Sequence, residues 1–499
     1  MLDQPHTSRN DVIVLFSLGL LSLIFYAVLA TERAWSEPTD VFRFLQLMAF
    51  LFAIYGAGLL MARHGRWNGG PLRLWVILGF AALFRLAVLP AGTVDGWQGV
   101  VDDMKARGQE PVYETFLLYD NDIWRYLWDG RVLLAGVNTY EISPAEIEDL
   151  ADDDDPRFAF LHDEPWGTIH SRIGYQTYRT VYPPLAQTTF VISAALAPGS
   201  VVVFKLILVL FELGSCWLLF DLCRRTLGRP ELVLVYAWNP LAIKEIAGSA
   251  HIDALAVFFL LLTLWTLERG LFKSSLLALA GAVLVKLTPL LVAPLLLRRI
   301  PWRHWWVLPT AGAVAYAPLL ASLPVIADSL RAFSRDWAFN AGFWNVSLSF
   351  SHGVGFEGRA VADALSILLT LALAAWLTWR TDQATPIKQL AGRAGCLLGA
   401  YVLLSPTVMP WYLLWALPLL AISGARASWW AWPAVTALSL LSDGVYIDGI
   451  ERASWLAWEH GLVATVLIGA VLIAAVLTQK GQSASKPTAR RIKPSRAKP

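Results

Sequence analysis

Residues 11–29 read DVIVLFSLGLLSLIFYAVL, a run with no charged side chain after Asp11. An apolar α-helix needs about 20 residues to cross the hydrocarbon core of a bilayer. Apolar runs of 17 or more residues recur from one end of the chain to the other. These runs lack the apolar–polar alternation that is typical of membrane β-barrel strands. The sequence therefore predicts an all-α, polytopic transmembrane helical bundle.

The overall composition supports a membrane protein. Of the 499 residues, 56% are hydrophobic and only 16% are charged, whereas a soluble domain carries about 25% charged residues. The net charge of +2 gives no indication of nucleic-acid binding. The three cysteines lie in or beside apolar runs, so no disulfide or metal framework is predicted. The first apolar run is too long for a typical signal-peptide core, and we expect no cleavable signal peptide.

The charges of the loops predict the orientation, because Lys and Arg favour the cytoplasmic side. Basic loops alternate with less basic or acidic ones in a pattern that places both termini in the cytoplasm and predicts roughly fourteen crossings. This scheme needs residues 182–198 to lie along the membrane surface. It also needs the run 274–297, interrupted at KLTP, to form two short spans that meet near the outer face. One long crossing is the alternative for that run.

The same scheme divides the chain into transmembrane and outer parts. They are N-terminal spans (1–90), a long outer loop with juxtamembrane helices (91–200), a core bundle (201–320), a second outer loop (321–361), a C-terminal bundle (362–478) and a basic cytoplasmic tail (479–499). Loops as long as the first one are usually either functional or disordered. A site is therefore expected in the segment 91–200.

The first outer loop carries the sequence YDNDIWRYLWDGR at residues 119–131, which mixes acids, arginines and aromatic rings. Asp120 and Asp122 form a D-x-D pair. Asp122, Tyr126 and Asp129 recur at helical spacing and share one helix face. Two interpretations are open at this point. The segment is either a site of chemistry or an amphipathic interfacial helix whose charges lie in water.

Short motifs that follow this segment suggest a family. In chain order they are DIWRYLWDGR, GVNTYEISP, VYPPLAQ, WNPLAIKEIAGSAHIDAL, VKLTPLLVAPLL, FNAGFWN and PWYLLWALP. This order resembles the C-type-fold glycosyltransferases, and among them the bacterial mannosyltransferase-like group related to glycosyltransferase family 87. The resemblance extends from about Tyr119 to Pro418. It implies a helical bundle that transfers a sugar from a polyprenyl-phosphate donor to an acceptor on the outer face.

The resemblance also implies roles for the acids. Asp122 matches the family's acidic position four residues before the tyrosine, and Asp120 is its neighbour; both are predicted to be catalytic. Asp129 is a third candidate acid, and two extra spans before the motif distinguish this chain. An inverting transfer needs a base for the proton of the acceptor hydroxyl, and a partly desolvated carboxylate suits that role. A lipid-monophosphate donor does not strictly require a metal, and the resemblance also favours metal independence. We therefore expect no metal and no cofactor, with a divalent metal left as the alternative.

Other polar and aromatic residues of the outer loops and span ends are predicted to bind the substrates. Ionisable groups at membrane depth usually face a cavity or a partner. The predicted binding residues are Arg125, Tyr126, Asp129, Arg131, Tyr182, Glu245, His251, Asp253, Lys286, Arg335, Trp337, Asn340 and Tyr412.

Structural roles remain alternatives for several of these residues. His251 and Asp253 are also compatible with a polar helix cap, and Lys286 with a lysine that extends towards the interface. Lys244 is positioned to neutralise Glu245. The segment 333–345 has the composition of an aromatic interfacial helix.

The sequence thus predicts an integral-membrane glycosyltransferase of the cell (inner or cytoplasmic) membrane. It would move a hexose, mannose by the resemblance, from a polyprenyl-phosphate sugar to a glycolipid or glycan acceptor. Membrane lipid is a further partner and nucleic acid is not. The competing functions are a secondary transporter or lipid flippase, which would tend to show inverted repeats that this chain lacks, and a non-catalytic scaffold for envelope assembly. The acceptor, the linkage and the oligomeric state stay open.

Overall fold

The computed structural model describes residues 7–31, 38–64, 71–93, 95–106, 120–151, 156–162, 165–355 and 357–424. Tyr119, the predicted spans after residue 424 and the basic tail lie outside the described residues. Within the described ranges the chain is helical and forms no strand, only isolated bridges such as that between Phe339 and Thr407. The prediction of an all-α helical bundle is confirmed.

The α-helices of the described ranges follow one another from the N-terminus. They are α1 (Thr7–Leu29), α2 (Pro38–His64), α3 (Pro71–Val88), α4 (Trp97–Ala106), α5 (Asp122–Leu134), α6 (Pro144–Ala151), α7 (Trp166–Ser171), α8 (Pro184–Leu196), α9 (Val201–Leu227), α10 (Leu234–Ala237), α11 (Pro240–Ile243), α12 (Asp253–Glu268), α13 (Phe272–Val285), α14 (Ala293–Arg299), α15 (Val307–Tyr316), α16 (Leu323–Asp336), α17 (Gly342–Gly353), α18 (Gly358–Trp379), α19 (Ile387–Leu404) and α20 (Leu417–Ser423).

Five helical segments of the described residues are long and apolar enough to cross a membrane. They are Asp11–Leu29, Arg43–Ala62, Val201–Leu227, Trp302–Asp336 and Gly358–Trp379. The first of them coincides with the apolar run at residues 11–29. A multi-pass membrane protein is therefore confirmed, while the number of crossings, the orientation of the termini and the division into parts stay predictions.

The apolar run at 274–297 is interrupted at the predicted place. Helix α13 ends at Val285, and Lys286 has an extended backbone with φ −149° and ψ 138°. A 3₁₀ turn over Thr288–Val292 follows, with Pro289 in its first turn, where the missing N–H of proline costs no helical hydrogen bond. The break at KLTP is confirmed. It leaves the side chain of Lys286 at the end of a helix instead of in the middle of one.

Helix α5, which carries the acidic motif, packs closely on α8. The rings of Tyr126 and Phe190 stack with their centroids 4.8 Å apart. A Cβ atom placed on Gly130 would lie only 2.3 Å from the carbonyl oxygen of Phe190. The glycine therefore permits the close approach of the two helices, and this approach positions α5 against α8.

Replacing Gly130 with Ala is expected to destabilise the protein by about 1–3 kcal/mol, because the added methyl group has no space. Thermal unfolding in detergent measures this effect. Gly79→Ala is the matched control, since nothing lies within 4 Å of a Cβ atom at this position of α3, and alanine favours the helical state. Equal melting temperatures for the two variants would contradict the assigned role of Gly130.

The centre of the bundle is an irregular segment at residues 231–252, in which every residue is buried. Pro240 begins the short helix α11, and a π-turn over Lys244–Gly248 follows it. Ala250 then adopts a left-handed backbone with φ +65°, which is uncommon for a residue with a side chain. Irregular backbone at membrane depth is tolerated where protein surrounds it, and such strain concentrates at functional sites. The segment ends where α12 begins.

A buried ion pair joins this segment to two helices of the bundle. Arg85 of α3 donates from Nη2 to Glu212 of α9 over 2.6 Å, and both side chains are fully buried. Its Nη1 atom donates to the carbonyl oxygens of Ala81 and Ala237. The guanidinium group therefore holds α3, α9 and the end of α10 together.

Candidate functional site

The acid pair of the motif lies at the beginning of α5. Asp120 is buried, and its Oδ1 atom accepts a 2.7 Å hydrogen bond from the backbone N–H of Asp122. Asp122 is the first residue of the helix, and 37% of its side chain is exposed. Burial raises the pKa of Asp120 well above its usual value, and the neighbouring charge of Asp122 raises it further. One acid is therefore enclosed and the other is open to a substrate.

Two tyrosine hydroxyls hold the Asp122 carboxylate on one side. Tyr126 and Tyr182 donate to Oδ2 over 3.2 and 3.5 Å. Tyr182 comes from the segment that leads into α8, so the α5–α8 contact brings both hydroxyls to the same oxygen. Oδ1 of Asp122 takes no hydrogen bond from the described residues and is the oxygen that is available to a substrate.

His251 lies beneath the acid pair, in the turn before α12. The ring is fully buried and stacks on Trp411 with centroids 3.7 Å apart. Its Nε2 atom lies 3.5 Å from Asp120 Oδ2 and 3.3 Å from Glu245 Oε2, and its Nδ1 atom lies 3.9 Å from Asp122 Oδ2. Both ring nitrogens therefore lie close to carboxyl groups.

Glu245 is fully buried and belongs to the π-turn. Its Oε1 atom accepts from Lys244 Nζ over 2.9 Å, which is the neutralising contact that the sequence left as an alternative. Its Oε2 atom has no hydrogen-bond partner among the described residues and faces His251. Glu245 is thus the ion-pair partner of Lys244 and also lies beside the His251 ring, close to Asp120.

A second charged pair lies at the start of α12. Lys286 Nζ donates to both oxygens of Asp253 over 2.8 Å, and the indole N–H of Trp415 donates to Asp253 Oδ1 over 2.6 Å. The ammonium group lies 4.8 Å from the ring centre of Tyr412 and 5.2 Å from that of Trp415. The Lys286 side chain is 18% exposed. Asp253, Lys286 and Tyr412, which are far apart in the sequence, are therefore brought together.

Asp129 and Arg131 face away from the acid pair, although they belong to the same helix. Asp129 Oδ1 pairs with Arg125 Nε over 2.7 Å and its Oδ2 atom accepts from Gln187 Nε2 over 2.9 Å. Arg125 also donates to the carbonyl oxygen of Tyr178. The guanidinium of Arg131 lies over the ring of Phe160 at 4.2 Å. These contacts join α5 to α8 and to the segments that contain Phe160 and Tyr178.

The segment around Trp337 contacts residues 175–178 through aromatic rings. Trp337 packs against Tyr175 and Tyr178 with centroids 4.5 and 4.9 Å apart. Arg335 forms an exposed ion pair with Asp336, which also accepts from the Tyr178 hydroxyl. Asn340 is buried and has φ +50°. The Trp337 cluster therefore lies where residues 335–340 meet residues 175–178.

The sequence did not single out Trp411, Trp415 and Gln187 as parts of this arrangement. The motif PWYLLW at residues 410–415 contained a signal, because aromatic residues next to a helix break in a span are placed to line a cavity. The motif VYPPLAQ contributed to the family resemblance, and only its Tyr182 was predicted to bind substrate. The role of its final residue, Gln187, depends on the packing of α8 against Asp129.

Three groups of the site are able to hold a metal ion. One donor atom from each of Asp120, Asp122 and His251 lies within 4.8 Å of the others. Carboxylate oxygens and a neutral imidazole nitrogen are all established ligands of divalent ions.

A known protein family matches more than half of the chain. The family described as "Alpha-(1->6)-mannopyranosyltransferase, N-terminal domain" matches residues 16–300. The chain belongs to this family. The sequence-based resemblance to bacterial mannosyltransferases is therefore confirmed. The matched region of this mannopyranosyltransferase family contains the acid pair, His251, Asp253 and Lys286, whereas the aromatic residues 411–415 lie beyond it.

One curated relative from this family extends the match. The chain is 25% identical over 413 residues to the protein named "Alpha-(1->6)-mannopyranosyltransferase B" of Corynebacterium glutamicum. The match covers 74% of this chain and 65% of the relative, so the chain spans just under two thirds of that protein's length. No solved structure matches the chain.

Proposed function

We propose that this protein transfers a mannosyl residue from a polyprenyl-phosphate-mannose donor to a glycolipid or glycan acceptor on the outer face of the cell membrane. Asp122 is the general base and Asp120 supports it. The observation that carries the proposal is the Asp122 carboxylate: its Oδ2 atom is held by two tyrosines, its Oδ1 atom is available and its side chain is 37% exposed. Membership of the mannopyranosyltransferase family supports mannose as the sugar.

The geometry favours Asp122 over the other two acids as the base. A base must be within hydrogen-bond reach of the acceptor hydroxyl. Asp120 is buried and already caps α5, and Asp129 has both oxygens occupied by Arg125 and Gln187. Asp122 combines an available oxygen with partial exposure, and the buried groups around it reduce its solvation.

Lys286 is the proposed contact for the donor phosphate. The departing lipid phosphate carries negative charge, which preorganised cations or donors stabilise. Lys286 is held by Asp253 and lies over the aromatic rings of Tyr412 and Trp415, so its position is fixed before the donor binds. These rings also present an apolar surface that suits the first isoprene units of the lipid.

The acceptor is proposed to approach from the outer segments. Aromatic rings beside charged groups suit a sugar, because the ring faces contact C–H groups while the charged groups bind hydroxyls. Trp337 and Tyr175 provide such rings, and Asp336 and Arg335 provide the charged groups. Gly174 precedes Tyr175 and lies against Asn121, the residue between Asp120 and Asp122. A Cβ atom on Gly174 would be only 2.8 Å from the Asn121 side chain. This contact connects the aromatic surface to the acid pair.

A transfer assay with the purified chain in lipid nanodiscs tests the proposal. Label is expected to move from polyprenyl-phosphate-[¹⁴C]mannose into an acceptor glycolipid fraction, and a soluble nucleotide-mannose is expected to give none. Polyprenyl-phosphate-glucose is the control donor, which tests whether the transferred sugar must be mannose. Failure of every polyprenyl-phosphate hexose to donate would reject the proposed function, whereas transfer of glucose alone would reject only mannose.

A further inference from the structure

The groups around His251 point to a ligand that the proposed transferase chemistry does not include. We propose that Asp120, Asp122 and His251 bind one divalent cation of the Mn²⁺ type. Its place in the reaction rests on the proposed function, since the cation would there meet the phosphate of the donor. Binding of the cation itself is independent of that function.

The spacing of the donor atoms fits one ion. One donor atom from each of the three residues lies within 4.8 Å of the other two. His251 Nε2 is 3.5 Å from Asp120 Oδ2, and His251 Nδ1 is 3.9 Å from Asp122 Oδ2. In an octahedral site with bonds of about 2.1 Å, neighbouring ligands are about 3 Å apart and opposite ligands about 4.2 Å apart. The limit of 4.8 Å exceeds the spacing of opposite ligands only slightly, so small rotations of the side chains that bring one ring nitrogen towards both carboxyl groups would complete the site.

The hydrogen bonding of His251 independently indicates a ligand. The ring is fully buried, yet neither Nδ1 nor Nε2 has a hydrogen-bond partner among the described residues. Buried polar atoms almost always have a partner. A cation on one ring nitrogen would leave the other nitrogen to donate to a carboxylate. Glu245 Oε2, also without a hydrogen bond and 3.3 Å from Nε2, is placed for this second role, which is common around metal-bound histidines.

The charge of the donor also favours a cation with two positive charges. Among the described residues near His251, the ammonium groups of Lys244 and Lys286 are already paired, with Glu245 and Asp253. Buried charge without compensation is strongly unfavourable. An arriving donor phosphate adds negative charge, and a divalent cation would offset it.

The ligand set indicates which cation fits. Two carboxylates with one imidazole suit an ion that accepts both oxygen and nitrogen, such as Mn²⁺. Ca²⁺ prefers six to eight oxygen ligands, and the imidazole makes the site less suitable for it. A phosphate oxygen and water would complete the coordination of Mn²⁺.

The cation would act on the leaving group in the transfer. The acceptor oxygen attacks the anomeric carbon, and the bond from this carbon to the phosphate oxygen breaks. The electron pair remains on the phosphate, where the cation stabilises the charge. The proton of the acceptor passes to Oδ1 of Asp122, while Oδ2 faces the cation. This differs from the metal-independent transfer that the sequence resemblance favoured, and a binding measurement separates the two.

Electron paramagnetic resonance with Mn²⁺ as the probe tests the proposal on the full chain. After treatment with EDTA and buffer exchange, the wild-type protein is expected to bind about one Mn²⁺ per chain. Asp120→Asn and His251→Gln are expected to weaken this binding at least about tenfold. Asp328→Asn is the matched control, because this acid is exposed and paired with Arg331, and it should bind as the wild type does.

Several outcomes would overturn the cation site. They are the absence of Mn²⁺ binding by the wild type at millimolar concentration, and equal binding by the wild type and the ligand variants. If the two buried variants unfold earlier than the wild type, Asp122→Asn replaces them, since its partly exposed side chain tolerates the change. Retained Mn²⁺ affinity in a folded Asp122→Asn variant would then decide against the site.

The transfer assay keeps the two proposals apart. Undiminished transfer in EDTA by a protein without bound Mn²⁺ would reject the cation and leave the transferase intact. Stoichiometric Mn²⁺ binding without transfer from any polyprenyl-phosphate hexose would reject the transferase and leave the cation site intact. Loss of transfer in EDTA that Mn²⁺ restores, with no restoration in His251→Gln, is the expected result.

Discussion

Substitution of Asp122 by Asn is expected to lower the rate of transfer by about 10²- to 10⁴-fold, which is the usual contribution of a positioned general base. The amide keeps the shape of the side chain and still accepts from Tyr126 and Tyr182, but it does not take up the proton of the acceptor hydroxyl. The turnover number is therefore expected to fall far more than the affinity for the donor. Initial rates at saturating and limiting donor measure the two effects separately.

A comparison with Asp129→Asn makes this prediction specific. Asp129 is an acid of the same helix, but its oxygens pair with Arg125 and Gln187. Its replacement is expected to lower the melting temperature, because it leaves a largely buried guanidinium without its carboxylate, and to leave most of the transfer activity. If Asp122→Asn transfers at the wild-type rate while Asp129→Asn does not, the base is Asp129. If both variants transfer at the wild-type rate, Asp120 remains as the candidate general base.

Elements that depend on local sequence were predictable. The apolar run at residues 11–29 and the helix break beside Pro289 follow from composition and from the geometry of proline, so both were correctly placed. The helix that begins at Asp122 was likewise expected from its spacing. In each case neighbouring residues determine the structure, and the order of the residues is sufficient to identify it.

The partners of the site residues were not predictable in the same way. Lys286 pairs with an acid 33 positions earlier, and Trp415 donates to the same acid from 162 positions away. These contacts exist because α12 and α13 form a hairpin and because the segment at 410–415 folds back on α12. The helical spacing predicted Asp129 on the same face as Asp122, but the Asp129 carboxylate binds Arg125 and a glutamine of α8 instead of lying with the acid pair. Packing between distant helices decides such roles.

The buried pair between Arg85 and Glu212 carries the largest expected effect on stability. Removing either partner leaves a charge without compensation in the interior of the bundle, which costs about 3–5 kcal/mol. Arg85→Leu and Glu212→Leu are therefore each expected to lower the free energy of unfolding by that amount. Unfolding of the purified protein, followed by helical circular dichroism during titration from mild detergent into SDS, measures it.

The double variant Arg85→Leu/Glu212→Leu separates the charge from the packing. Two leucines remove both charges, so most of the lost stability is expected to return, because apolar replacement of a whole buried pair is often neutral. Recovery should be incomplete, since Arg85 also donates to the carbonyl oxygen of Ala237, within the buried segment that carries His251. Arg331→Leu, in a pair whose side chains are 77% and 72% exposed, should have little effect. Single variants no less stable than Arg331→Leu would show that the pair is not the electrostatic anchor of this segment. A double variant as unstable as the sum of the singles would place its contribution in the contacts with the backbone.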